Sequence, residues 1–312
     1  MPRRSRRAVI AAVLVALGLQ GSTNPTRPPG FFGAFSWSMA DNRFGGFSAI
    51  EVAPDGLWFT AVSDKGAFVR GRFRRGADDR ISGISAGPIT LLKDPVPVQL
   101  VDARNDSEGM AIAPDGSVYV SFEGPARVLR YPGLEGMPKD LPIPRAFLAY
   151  PRNAGFEALA LDSNGVLYAI PEQLRGFLRP RLLTGRASNS GGDDFPVWRF
   201  VDGKWSQAFT LPRQGGFLPV AADFGPDGRL YVLERTFHGI AGFGSRVRSF
   251  QVGRTALDQP RTHLQSPVGM HDNLEGLSVW RDADGVIRLT MISDSNFLPV
   301  QRTEIVEYRF GG

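Results

Sequence analysis

The 312 residues contain no cysteine, which excludes disulfides, thiolate nucleophiles and zinc sites built on cysteine. Histidine is nearly as scarce, with three in the whole chain, and this counts against ester hydrolysis driven by histidine. No nucleophile elbow, phosphate-binding loop or HExxH pattern is present. The one long apolar run, Ala8 to Leu19, has 12 residues. That is too short to cross a hydrocarbon core of ~30 Å as a helix. A composition with 21% charged and 42% hydrophobic residues is that of a globular chain, and the 37 glycines and 24 prolines are spread along it.

The apolar run follows Arg3, Arg4, Arg6 and Arg7 and precedes Gly21 and Ser22, so residues 1–22 read as an export signal. Ser5-Arg6-Arg7-Ala8-Val9-Ile10 loosely resembles a twin-arginine signal, so that route and the general secretory route both stay open. The expected location is the periplasm or the exterior, with residues 23–312 forming one domain and no stable membrane insertion after signal removal. The net charge of +5 owes four units to the signal, which leaves +1 on the remainder. A nearly neutral domain offers no concentrated basic surface for nucleic acid, and a monomer is expected.

Five segments share one pattern: Phe47 to Asp64, Ser107 to Glu123, Phe156 to Glu172, Pro219 to Arg235 and Leu274 to Asp294. Each sets two alternating apolar runs about a turn ending in Gly56, Gly116, Gly165, Gly228 or Gly285. Asp-Gly or Asn-Gly between such runs predicts a hairpin with a type I′ turn. The turn glycines are 60, 49, 63 and 57 residues apart. A repeat of paired strands at that period predicts an all-β β-propeller. Further strands are predicted at Arg127 to Tyr131, Arg145 to Tyr150, Val197 to Val201 and Trp205 to Leu211. Pairing Phe31 to Trp37 with Thr303 to Phe310 completes five four-stranded blades and removes an open sheet edge. Six blades remain the alternative if Arg179 to Phe195 or Phe73 to Leu92 hides another strand pair.

Carboxylates recur at two repeat positions. Glu108, Glu157 and Glu275 precede the first apolar run, where Ser48 and Val220 stand in the other copies. Asp64, Glu123, Glu172, Glu234 and Asp294 end the second run. The start of one hairpin arm and the end of the other lie at one sheet edge, so both sets are predicted to share a propeller face. For a single carboxylate, a hydrogen bond or salt bridge of purely structural purpose is the default. Three acids brought to one axis repel one another, and the constellation points to a cation or polar ligand. Oxygen donors suit a hard cation, calcium before magnesium. Asp41, Asn42, Asn105, Asp106, Asn153, Asp272, Asn273 and Asn296 flank that edge. Arg104, Arg152 and Arg235 lie beside the acids, as phosphate-binding forks or as charge-balancing partners. His271, next to Asp272, offers a general base, although a plain surface histidine is the simpler reading.

The segments FGGFSAIEVAPDG with AVSD, DSEGMAIAPDG with SFE, GFEALAL with YAIPE, FLPVAADFGPDGRLYVLER, and DNLEGLSV with ISDSNF resemble the phytase-like family, described by esterase-like activity of phytase. The resemblance implies an exported bacterial protein that hydrolyses phosphate esters. Carried over by position, it implies functional roles for Asp64, Glu108, Glu123, Glu157, Glu172, Glu234, Glu275 and Asp294. Calcium is the expected cofactor by analogy with calcium-dependent propeller phytases. The leading expectation is cation-assisted attack of water on a small phosphate ester or similar anion, with Glu108, Glu157, Glu275 and the three arginines at the reacting group. The alternatives are a lactonase or carboxylesterase, and a calcium-stabilised binding propeller without catalysis.

Overall fold

Each repeated turn folds the chain back on itself, and successive hairpins stack side by side around an axis. The computed structural model describes residues 27–95, 105–123, 126–147, 155–172 and 194–311. The expected signal peptide therefore lies outside the described residues. Among the described residues, no helix is long and apolar enough to cross a membrane.

Strand β1 (Phe31–Trp37) comes first in the chain and last in the ring. Blade 1 holds β2 (Phe47–Val52), β3 (Trp58–Ser63), β4 (Ala67–Arg75) and β5 (Ile81–Ala86), with β6 (Thr90–Leu91) also paired to β4. Blade 2 holds β7 (Ser107–Ile112), β8 (Val118–Phe122), β9 (Arg127–Tyr131) and β10 (Lys139–Asp140). Blade 3 holds β11 (Phe156–Leu161), β12 (Leu167–Pro171), β13 (Phe195–Val201) and β14 (Lys204–Leu211). Blade 4 holds β15 (Leu218–Phe224), β16 (Leu230–Phe237), β17 (Phe243–Val252) and β18 (Leu257–Gln265). Blade 5 holds β19 (Asn273–Arg281), β20 (Ile287–Asp294) and β21 (Thr303–Phe310), and β1 pairs antiparallel to β21 as its outer strand. The result is a five-bladed β-propeller closed by its N-terminal strand. Strands β5 and β6 belong to blade 1, so Phe73 to Leu92 contributes no sixth blade. Most of Arg179 to Phe195 lies outside the described residues.

Two local expectations change. The fourth strand of blade 2 is the short β10, and 145–147 form a turn while 148–150 lie outside the described residues; Pro142 and Pro144 lack the N–H groups that a longer β10 ladder needs. Phe147 instead enters the seam between blades 2 and 3, its ring 4.3 Å from that of Phe156. The five repeated turns are also not type I′. Only their glycines are left-handed, with φ between 68° and 83°, while the preceding Asp or Asn is not. In the first, Gly56 N donates to Ala53 O at 2.8 Å, and Asp55 Oδ1 accepts from Leu57 N at 2.9 Å. This is a longer connection in which a tight turn is followed by one left-handed residue. Both central residues are left-handed at the outer turn of blade 3, Asp202 (φ 48°) and Gly203 (φ 76°).

The apolar residues divide into five clusters, one at each seam between neighbouring blades. Strands β2, β7, β11, β15 and β19 run innermost and neighbour one another in a closed ring. The closing seam relies on Trp37, which is buried and stacks on Phe47 at 5.2 Å while meeting Phe59 edge-on at 5.4 Å. Trp37→Ala is expected to cost about 3–5 kcal/mol, as large-to-small changes of buried aromatics do. Urea denaturation measures this, and an unchanged midpoint would show that the closing strand is dispensable.

Candidate functional site

The acidic positions are defined by irregularities in the inner hairpins. In every blade the pairing of the first two strands slips at one place: between Phe47 and Ala49, Ser107 and Met110, Phe156 and Ala158, Pro219 and Ala221, and Leu274 and Gly276. The residues in those slips are Ser48, Glu108 with Gly109, Glu157, Val220 and Glu275. A β-bulge adds an unpaired residue and re-aims its side chain. At three of the five positions the re-aimed side chain is a carboxylate: Glu108, Glu157 and Glu275. Room is tight there. A Cβ on Gly109 would lie 2.8 Å from Glu157 O, and one on Gly276 would lie 2.9 Å from Ile50 N, so glycine lets neighbouring inner strands close up.

A second ring of positions follows each bulge across the hairpin. Asp64 N donates to Gly46 O at 2.7 Å, Glu123 N donates to Asp106 O at 2.9 Å, and Asp294 pairs with Asn273. Glu172 follows Pro171, the partner of Phe156. The equivalent residue of blade 4 is Arg235, paired with Leu218. Glu234 is one residue earlier and so points to the other face of the strand. There it is fully buried, accepting from Arg246 Nε at 2.8 Å and Arg248 Nε at 2.7 Å. The structure therefore brings together Asp64, Glu108, Glu123, Glu157, Glu172, Glu275 and Asp294, but not Glu234.

Arg235 sits among them. Its Nη2 donates to Glu172 Oε1 at 2.9 Å, and its Nη1 donates to Asn273 Oδ1 at 2.6 Å and to Glu275. One guanidinium thus ties blade 3 to blade 5 across blade 4. Both terminal nitrogens are engaged by the protein, which is the charge-balancing role rather than that of a free phosphate fork. Burial works against its charge, but Glu275, Glu172 and Glu157 raise its pKa above the ordinary value. Arg104 and Arg152 lie outside the described residues.

One guanidinium does not neutralise this many acids. Burial, then Glu275, Asp106 and Glu123, push Glu108 well above the usual carboxyl range. Burial, then Glu108 and Glu172, do the same to Glu157, which shares a hydrogen bond with Glu123. Glu123 is itself raised, chiefly by burial. Glu275 is pushed up to about 7 by burial against the pull of Arg235. Asp64 and Asp294 rise to about 6, again through burial first. Carboxylate oxygens of Asp106, Glu108 and Glu123 lie within 4.8 Å of one another, close enough to hold one metal ion. Asp64 Oδ1 is buried and has no hydrogen-bond partner. With oxygen donors and neither sulfur nor imidazole, the set fits a hard cation.

Other candidates fall elsewhere. His271 is buried in blade 5, its Nε2 2.7 Å from Tyr308 OH, and burial lowers its pKa to about 4. It is neither a surface histidine nor a base at the acidic mouth. Asp41 pairs with Arg43, and Asp272 accepts from Gln301 Nε2 at 3.1 Å and from Arg302 N at 2.9 Å. Sequence reasoning missed a second acidic pair at the other end of the inner strands. Burial and Asp223 hold Glu51 well above its ordinary value, with Ser278 Oγ 3.5 Å away. Asp223, raised to about 7 by burial, accepts from Val279 N at 2.6 Å. Both stand five residues before their turn glycines, Gly56 and Gly228, but alanine fills that position in blades 2 and 3, so the carboxylate recurs in too few blades to stand out.

With this geometry in place, comparison with known proteins is informative. The family described as Phytase-like, esterase-like activity of phytase, matches residues 42–297. The chain belongs to the Phytase-like family. No curated protein matches the chain in sequence. Among solved structures, the catalytic domain of a GH62 α-L-arabinofuranosidase from Coprinopsis cinerea is 12% identical. The match covers 90% of this chain and 96% of that one, with a TM-score of 0.52. A virginiamycin B lyase from Staphylococcus aureus is 15% identical over 90% of this chain and 74% of its own, with a TM-score of 0.41. A gluconolactonase from Xanthomonas campestris is 13% identical over 81% and 69%, with a TM-score of 0.43. At such identities the arabinofuranosidase likeness concerns the fold alone.

The raised pKa values set a sign for stability against pH. A carboxyl whose folded pKa exceeds its unfolded value stabilises the native state below the unfolded pKa, and that contribution is lost as pH rises through the folded value. For Asp64, Asp294 and Glu275 the window runs from about 4 to about 7. Thermal melts in chelator are expected to fall by several degrees between pH 5 and pH 8, and added calcium is expected to remove most of the difference. A chelated protein as stable at pH 8 as at pH 5 would contradict the crowding of the acids.

Proposed function

We propose that this Phytase-like propeller is an exported, monomeric hydrolase of small phosphate esters that works with a hard cation, calcium first, at its acidic mouth. The observation that carries the reading is the meeting of two hydrogen-bonded carboxyl pairs, Glu108 with Asp106 and Glu157 with Glu123, around one cluster of oxygens. Asp106, Glu108 and Glu123 would hold the cation, and the unpartnered Asp64 Oδ1 adds an oxygen on the neighbouring blade. A hard cation there supplies Lewis-acid polarisation of a phosphoryl oxygen and offsets its developing charge.

The protein's own contribution is proton handling and position. A hydrogen bond between Glu123 and Glu157 ties Glu157, raised by burial, to one of the would-be ligands of the cation. Glu157, which is not among those ligands, would take a proton from an attacking water and return it to the departing alcohol oxygen. Arg235 acts through Glu172 and Glu275 as a positioning residue, keeping both carboxylates on the mouth.

A panel of phosphomonoesters, phosphodiesters and carboxylic esters, assayed with and without chelator, tests the reading. Turnover of a phosphate ester is expected, abolished by chelator and lowered about 10²-fold or more by Glu157→Gln. Turnover of carboxylic esters alone would move the protein to the lactonase or carboxylesterase class. No chelator-sensitive turnover would leave a binding propeller.

A further inference from the structure

On the blade 1 side of the mouth, the residues around Asp64 are arranged in a way that hydrolysis alone does not require. Phe297 lies in the loop between β20 and β21 and belongs to none of the five core clusters, leaving 39% of its surface exposed. Its backbone and that of Asn296 are left-handed, with φ of 51° and 46°. That region is unfavourable for a bulky side chain. The loop is held there by Asn296 N donating to Asp294 Oδ1 at 2.6 Å and Leu298 N donating to Ser295 O at 2.8 Å. Strain of this kind persists where the surroundings enforce it, and it clusters at functional sites.

The ring is brought directly against the site. A Cβ on Gly46 (φ 62°) would lie 2.5 Å from Phe297 Cε2 and closer still to Asp64 Oδ1. Ring, carboxylate and glycine backbone therefore meet with no side chain between them. Lys65 completes the group. Its Nζ stands 5.5 Å from the centre of the Phe297 ring and 4.0 Å from Asp64 Oδ2, beyond hydrogen-bond reach, on a side chain 63% exposed. Arg235 is bound to three acceptors, whereas the Lys65 ammonium makes no hydrogen bond among the described residues.

We infer that Lys65 and Phe297 select the substrate, admitting phosphate esters of aromatic alcohols in preference to those of polyols. The inference rests on the phosphate-ester reading of the mouth. The ammonium takes a phosphate oxygen as a point charge. The exposed ring surface takes a planar apolar group, and Leu298 and Val300, 50% and 90% exposed, extend the apolar side of the same loop. A polyol ester offers hydroxyl groups to that ring and gains nothing from it.

Calorimetric titration of the calcium-loaded protein with phenyl phosphate and with glycerol phosphate tests this without requiring turnover. Phenyl phosphate is expected to bind about tenfold more tightly, the scale of one aromatic pair. Phe297→Ala is expected to bring the two esters within about twofold, and Phe297→Tyr to keep the preference. Lys65→Gln should weaken both esters by a similar factor. Equal affinities in the wild type, a preference that survives Phe297→Ala, or no binding of either ester would each overturn the inference. Turnover measured alongside separates the two ideas. Preferential binding without hydrolysis keeps this inference and removes the hydrolase, and hydrolysis without preference does the reverse.

Discussion

Like charges crowded at the end of a narrow channel are held apart only by what lies between them, and in this propeller very little does. Asp64, Asp106, Glu108, Glu123, Glu157, Glu172, Glu275 and Asp294 share one mouth with, among the described residues, one enclosed guanidinium, Arg235. Every other feature of the site answers to that imbalance. Glu108 bonds to Asp106 and Glu157 to Glu123, burial and crowding raise the pKa values of Asp64, Glu108, Glu123, Glu157, Glu275 and Asp294, and oxygens of Asp106, Glu108 and Glu123 converge to within reach of one ion. Arg235 spans from blade 3 to blade 5, so this compensating charge is also a clasp on the ring.

The scaffold maintains this arrangement through its seams. Five apolar clusters lie between the blades, and the polar side chains near the axis bond across the inner strands. Ser48 Oγ donates to Ser107 O at 2.6 Å, and Val52 N donates to Ser278 Oγ at 2.9 Å. Inner strands fixed in this way cannot spread to relieve the repulsion at the mouth. Protons or a cation must do so, and this requirement joins the fold to the chemistry.

The architecture was legible in the sequence because its determinants are periodic. Alternating runs about five turn glycines predict the hairpins, and the unpaired β1 segment predicts the closure. The convergence of Glu108, Glu157 and Glu275 was legible for the same reason. What escaped prediction depends on single-residue offsets and on contacts between blades. Glu234 and Arg235 are neighbours, and only the register tells which of them faces the mouth. The bulges that aim the glutamates interrupt the alternation by one residue and carry no composition signal beyond a following glycine in two blades. Lys65 and Phe297 occur once each, and the position of Glu51 and Asp223 is alanine in blades 2 and 3, so no repeat around the whole ring draws attention to them. The two prolines that shorten blade 2 were visible, but their effect on strand length outweighs the apolar pattern that follows them.

The central claim is that the acidic mouth exchanges protons for a cation. Calorimetric titration with calcium at pH 6, in buffers of differing ionisation enthalpy, counts the protons released per ion bound. The account predicts saturable binding with net proton release at pH 6, less release at pH 8, and loss of binding in Glu108→Gln. Saturable binding with no proton release, or no binding at millimolar calcium, would contradict it.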